Sequence, residues 1–155
     1  MTTDRRELVL TRLLEVLAAV PSIQVVVRNR GELPADKRPG IVLLDADEVA
    51  RPSAPNARGR LIAQAMPNVV DMTPEIYVVM DPRKQPNPSI GTDMNALRLV
   101  IIKAVQTDQA LTDIVGSNGD IRYAGTQTDM ASGRSMEGQM SIRMTFTYPL
   151  LPKEL

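Results

Sequence analysis

The sequence predicts an α+β domain: a mostly antiparallel sheet of four to five strands, helices packed on one of its faces, and long projecting loops. Three observations predict it. Over residues 140–148, Met140, Ile142, Met144, Phe146 and Tyr148 alternate with Ser141, Arg143, Thr145 and Thr147, the signature of a strand with one buried and one wet face. Leu10, Leu13, Leu14 and Leu17 recur at helical spacing near the start. Pro- and Gly-rich stretches separate the remaining apolar runs. With 155 residues, the chain is long enough for one real core, and residues 1–155 read as one domain.

The elements follow in order. Asp4 with Glu7 three residues on is a capping-box-like helix start, and Pro21 ends the helix, whose leucine stripe is expected to pack on the chain's own sheet. Residues 23–28 and 40–48 read as two strands of an antiparallel hairpin joined by a charged loop over 28–39. Residues 50–60, with Pro52, Pro55 and Gly59, read as an excursion, and 61–70 is ambiguous between strand and short helix. Residues 74–80 read as a strand, followed by a loop over 82–92. Asp93 can cap a second helix carrying Leu97, Ile101 and Val105; its broad apolar stripe, with Val100 and Ile102, predicts deeper burial than the first helix. A short helix then starts at Thr107 or Asp108, with Gly116 as its stop and Asn118-Gly119 as a turn. Residues 120–127 form a strand, 128–134 a polar turn, and the alternating strand closes at Pro149 and Pro152.

Composition removes many functions. The 18 Lys plus Arg balance the 18 Asp plus Glu, so no global charge draws the chain to nucleic acid or an anionic membrane. With no Cys and no His, there are no disulfides, thiol nucleophiles, imidazole bases or zinc-finger ligands. Three Tyr and one Phe leave almost no stacking platform for bases or sugars. The longest apolar runs are far short of the roughly 20 residues of a membrane helix, so no membrane association is expected and a cytosolic protein is. Arg outnumbers Lys 14 to 4, a bias that suits bidentate pairing at protein interfaces.

Two charged clusters stand out. Asp45, Asp47 and Glu48 form the densest acidic group; on a strand, Asp45 and Asp47 would point to one side and could hold Mg²⁺ or divide acid and base roles. No second acidic group at a matching spacing supports that chemistry, and a solvated strand end, or acids facing Arg on a neighbouring subunit, is the preferred reading. Arg51, Arg58 and Arg60 form the best basic patch, read first as a solvated loop and otherwise as suited to an acidic protein surface or to passing DNA. Gly116-Ser117-Asn118-Gly119 lacks the Lys-Ser/Thr of a phosphate loop, and no Ser-x-x-Lys pairs a serine with a base. No catalytic residue, metal or cofactor is expected.

The order of signals resembles the tail terminator (tail completion) proteins of long-tailed bacteriophages. The resemblance is carried by the opening amphipathic helix and its Val-rich strand, and by Pro74-Glu75-Ile76-Tyr77-Val78. It continues through Leu97-Arg98-Leu99-Val100 to Asp113-Ile114-Val115, then Gly119-Asp120-Ile121-Arg122-Tyr123. Glu137-Gly138-Gln139-Met140 running into Phe146-Thr147-Tyr148-Pro149 completes it. The segment 50–66 departs from the pattern. The resemblance implies a homo-oligomeric ring, usually of six copies, at the head-proximal end of the tail in the virion, assembled in the host cytoplasm. Such a ring caps the tail tube protein, stops its growth, and offers a surface to the head-completion or connector protein, with DNA only passing through the channel. On that reading Arg51, Arg58 and Arg60 are interface residues, with Asp45, Asp47 and Glu48 as partners across subunits. Another neck, head-completion or tube component is the nearest alternative, and a small metal-dependent hydrolase using Asp45 and Asp47 a remoter one.

Overall fold

The computed structural model describes residues 4–51, 68–81, 87–130 and 138–150. Its helices are α1 (Arg5–Ala18), α2 (Asn87–Thr107) and α3 (Gln109–Val115). Its strands are β1 (Val25–Arg28), β2 (Gly40–Leu44), β3 (Glu48–Ala50), β4 (Asn68–Met72), β5 (Glu75–Val79), β6 (Asp120–Met130) and β7 (Gly138–Leu150). All seven strands belong to one mixed sheet.

Seven strands replace the expected four to five because two long strand lines are broken at the same level. Residues 40–50 run antiparallel to residues 68–79, as β2 against β5 and β3 against β4. At the break, Ala46 takes a positive φ of 57° on one line, and Thr73-Pro74 interrupts the other, where proline offers no backbone donor. The joint is held by Thr73 N–H donating to Asp47 O at 3.2 Å, and by the Thr73 and Thr145 hydroxyls 3.0 Å apart. Along β7, the first half pairs β5 and the second half pairs β4, while β6 runs down the opposite flank.

The expected hairpin of the first two strands is instead a parallel pair, with Val25 opposite Gly40 and Arg28 opposite Leu43. Parallel neighbours need a connection long enough to carry the chain back to the same end, and residues 29–39 supply it. This connection does not project. A 3-10 turn, Ala35–Lys37, folds it down so that buried Leu33 meets Val42 and Val79 on the sheet face opposite the helices. Gly40 permits the closeness, since a Cβ there would lie 2.6 Å from Leu33 Cδ1. The other two expected loops fall largely on 52–67 and 82–86, outside the described residues.

The helices share one face with the main core. Val9, Leu10, Leu13 and Leu17 of α1 and Ile101 and Val105 of α2 join Leu111 of α3 in a single cluster with inward positions of the strands. Met140, Ile142, Met144, Phe146 and Tyr148 supply the centre, so the period-two reading of this strand holds. Pro149 lies inside β7, opposite Val69, and does not end it.

Local chemistry accounts for the helix ends. Asp4 caps α1 by accepting from Arg6 N–H at 3.1 Å, but the reciprocal half of a capping box is missing because Glu7 turns to Arg28. Asp108 caps α3 through Leu111 N–H at 2.9 Å, and Gly116 stops it at φ 84°. Asp93, expected as a cap, lies inside α2, which begins at Asn87; Pro88 fits in the first turn, where its missing N–H has no intrahelical partner to lose. Nor is α2 the more deeply buried helix. Leu99 and Val100 are 59% and 44% exposed, whereas α1 buries its stripe.

Candidate functional site

The acidic segment occupies the joint between the two halves of the sheet. β2 ends at Leu44, so Asp45 and Asp47 sit in a turn and do not share a strand face as expected. Asp45 is clasped by Arg28, whose Nε and one terminal nitrogen donate to its two oxygens at 2.7 and 2.8 Å. Asn29 Oδ1 accepts from the Asp45 amide at 3.1 Å. The same guanidinium donates to both Glu7 oxygens at 2.7 and 2.9 Å, tying α1 to the turn. These hydrogen bonds hold the Asp45 and Glu7 carboxyls below their ordinary values.

Asp47 is exposed and uses its backbone carbonyl, not its carboxylate, in the joint. Glu48 lies 3.8 Å from Arg6 and beside buried Tyr148. Among the described residues, the Tyr148 hydroxyl has no hydrogen-bond partner in bonding geometry. Burial first, and the charge of Glu48 second, raise its pKa above the ordinary tyrosine value.

Arg51 continues the β3–β4 ladder, its N–H donating to Val69 O at 2.8 Å. Its guanidinium donates to Asp71 at 2.8 and 3.0 Å, and Asp71 also accepts from the Thr147 hydroxyl, with Arg122 3.7 Å away. Arg51, acting first, draws the Asp71 carboxyl below the usual aspartate range. Arg51 and Asp45 therefore have bidentate partners inside one chain, and they are not each other's partners. Arg58 and Arg60 lie outside the described residues. Of the acidic trio, Asp47 alone keeps an exposed carboxylate that no described side chain engages.

The paired centres that matter most were not singled out from sequence. Arg12 donates to Asp108 at 2.7 and 3.0 Å, locking α1 to the cap of α3, and to Glu15 at 2.7 Å. Arg12 and Asp108 are 96 positions apart, so no local signal announces them. On the helix-free sheet face, a cleft of about 410 Å³ lies among Arg30, Leu33, Arg38, Val42, Tyr77 and Val79. Its Tyr77 hydroxyl is raised in pKa, chiefly by its hydrogen bond with Glu75.

Chemically, these centres hold charges in fixed pairs. Among the described residues, no group of three or more Asp, Glu, His or Cys could hold a metal ion, and no helix is long and apolar enough to cross a membrane. No protein-family model matches the chain, and a search of the curated proteins finds no relative.

A last feature is backbone, not side chain. β6 pairs with β7 alone along its eleven residues, leaving its outer edge without a strand among the described residues. A bulge at Tyr123/Gly125 divides it, and it carries neither Pro nor Lys, two residues that usually blunt such edges.

Proposed function

We propose that the chain is a structural component of a long-tailed phage virion, a tail terminator whose copies close into a ring, with six as the expected number. The order of sequence patterns motivates the family, and the outer edge of β6, without a strand among the described residues, is the observation that supports assembly. With β7 taken as up, β5 and β6 run down while β2 and β1 run up. A second copy standing alongside in the same orientation sets its β1 antiparallel to the β6 of the first. The contact is heterologous, one surface meeting a different one, and such contacts close into a ring when the rotation between copies closes. Added ladder hydrogen bonds would satisfy edge donors and acceptors that otherwise face solvent.

In this reading the exposed Asp47 carboxylate, with Arg58 and Arg60, remains the side-chain candidate for contacts to the tube protein or the connector. Termination needs one ring face that fits the tube end and another that rejects a further tube ring. A neck or head-completion protein would share the ring, and its position in the virion separates it from a terminator.

The test is particle mass and negative-stain imaging of the purified protein, alone and mixed with tail tubes. Rings are expected. Proline scanning at Gln127 and Thr128 adds a structural check: of two neighbouring strand residues, one donates to β7 and the other outward. The outward position should keep its melting temperature and lose the ring. Normal rings from both proline variants, or a protein that stays monomeric even on tubes, would refute the reading.

A further inference from the structure

Helix α2 carries an apolar strip that its own fold leaves open. Its outward positions Thr92, Asn95, Ala96, Leu99, Lys103 and Gln106 include a single charge, and Leu99 and Val100 are the large apolar side chains exposed on this helix. A furrow runs alongside, between α2 and the end of α1. It consists of two clefts of about 340 and 320 Å³ that share Val100 and Pro21. Leu97, Ala96 and Met80 line the first; Val16, Ala19 and Ala104 line the second. A ridge of Leu99 and Val100 beside a furrow of small apolar side chains is the relief by which helices interlock.

Charge narrows the occupant. The furrow has Asp93 at one end and Glu15 and Asp108 at the other, where Arg12 is already held by those two acids. The strip on α2 is flanked by Arg98 and Lys103. The helix therefore carries, in Lys103, a base for the Asp93 end of its own furrow, while the acids at the other end are already neutralised by Arg12.

We propose that α2 of a second copy packs antiparallel into this furrow, with the two-fold axis near residue 98. Asp93 then stands opposite Lys103 of the second copy, twice by symmetry, and Ala96 opposite Val100. The two charges are ten residues apart on the helix, about 15 Å at 1.5 Å per residue, so they bracket the apolar contact. Being isologous and on the helix-covered face, this contact is separate from a ring closed through the sheet edge and does not rest on it.

The chain has no cysteine, so one introduced thiol reports the contact. Leu99→Cys should form a disulfide-linked dimer under mild oxidation at least about tenfold faster than Val49→Cys, whose position is 62% exposed and lies on β3, an end strand of the sheet. In the Leu99→Cys background, Lys103→Asp should slow linking by about tenfold, and adding Asp93→Lys should restore it. Lys103 is exposed, so the single change reads the contact and not the fold. Equal linking rates at positions 99 and 49, or rates indifferent to the charge changes, overturn the proposal. Either result leaves the ring reading standing, because rings are scored separately by imaging.

Discussion

Replacing Arg28 by Met removes a guanidinium that reaches both Asp45 and Glu7 while keeping most of its aliphatic stem. The Asp45 arm is a bidentate, charge-assisted pair on a carboxylate that is 27% exposed. Losing a hydrogen bond to a charged group costs about 1.5–3 kcal/mol when the partner is left poorly satisfied, and here Asp45 loses both of the guanidinium donors that clasp it. The Glu7 arm is half-exposed, and a pair of that kind contributes about 0.2–1 kcal/mol. The expected loss is therefore about 2–4 kcal/mol, or about 4–16 °C in melting temperature for a chain of this size. Circular dichroism melts of both proteins give the number, and pH gives the cause. Both carboxyls have folded pKa values below their ordinary values, so the stability they contribute is present above about pH 4 and is lost as the pH falls through the folded values. The gap between wild type and Arg28→Met should be widest near neutrality and close in acid. A gap under about 0.5 kcal/mol at pH 7, or one unchanged down to about pH 2, would refute the reasoning.

Other substitutions probe different parts of the fold. Gly119→Ala should cost about 2 kcal/mol or more in denaturant titrations, because a Cβ there would press on Val115 O and lie 2.7 Å from Thr147 O; an unchanged midpoint would mean the turn shifts freely. Phe146→Ala, at the fully buried centre of β7, should lose about 3–5 kcal/mol by the same measurement. Tyr148→Phe removes a buried hydroxyl that has no partner among the described residues, so melts should be neutral or shifted upward; a loss above about 1 kcal/mol would show that Glu48 accepts a hydrogen bond from it.

What was legible in the sequence was what is local. The α1 stripe, the Asp108 cap with its Gly116 stop, and the alternation of β7 each lie within a dozen or so residues and act on their own neighbours. The partner of a strand is not local, since Val-rich residues 25–28 read the same in a hairpin or in a parallel pair. β3 is three residues long, too short to show a period, and its break from β2 depends on one positive φ at Ala46. The start of α2 was hidden because Pro88 signals a loop as readily as a first helical turn. The charged candidates were legible as residues but not as pairs: Asp45 answers to Arg28, which also holds Glu7 from a different element, and Arg51 answers to Asp71. Burial of α2 was overestimated since apolar content does not say which side of a helix the core will take.

β7 is the seam of the molecule, the one strand that borders β4, β5 and β6 at once. It also follows all three in chain order, so a growing polypeptide carries Ile76, Val78 and Met72 without the neighbour that will cover them until the seam emerges. Pairings that distant in sequence are slow to form. The strands β4 and β5 therefore wait, through the synthesis of both later helices and of β6, for the neighbour that joins them into one sheet, and their apolar side chains are open to wrong contacts during that interval.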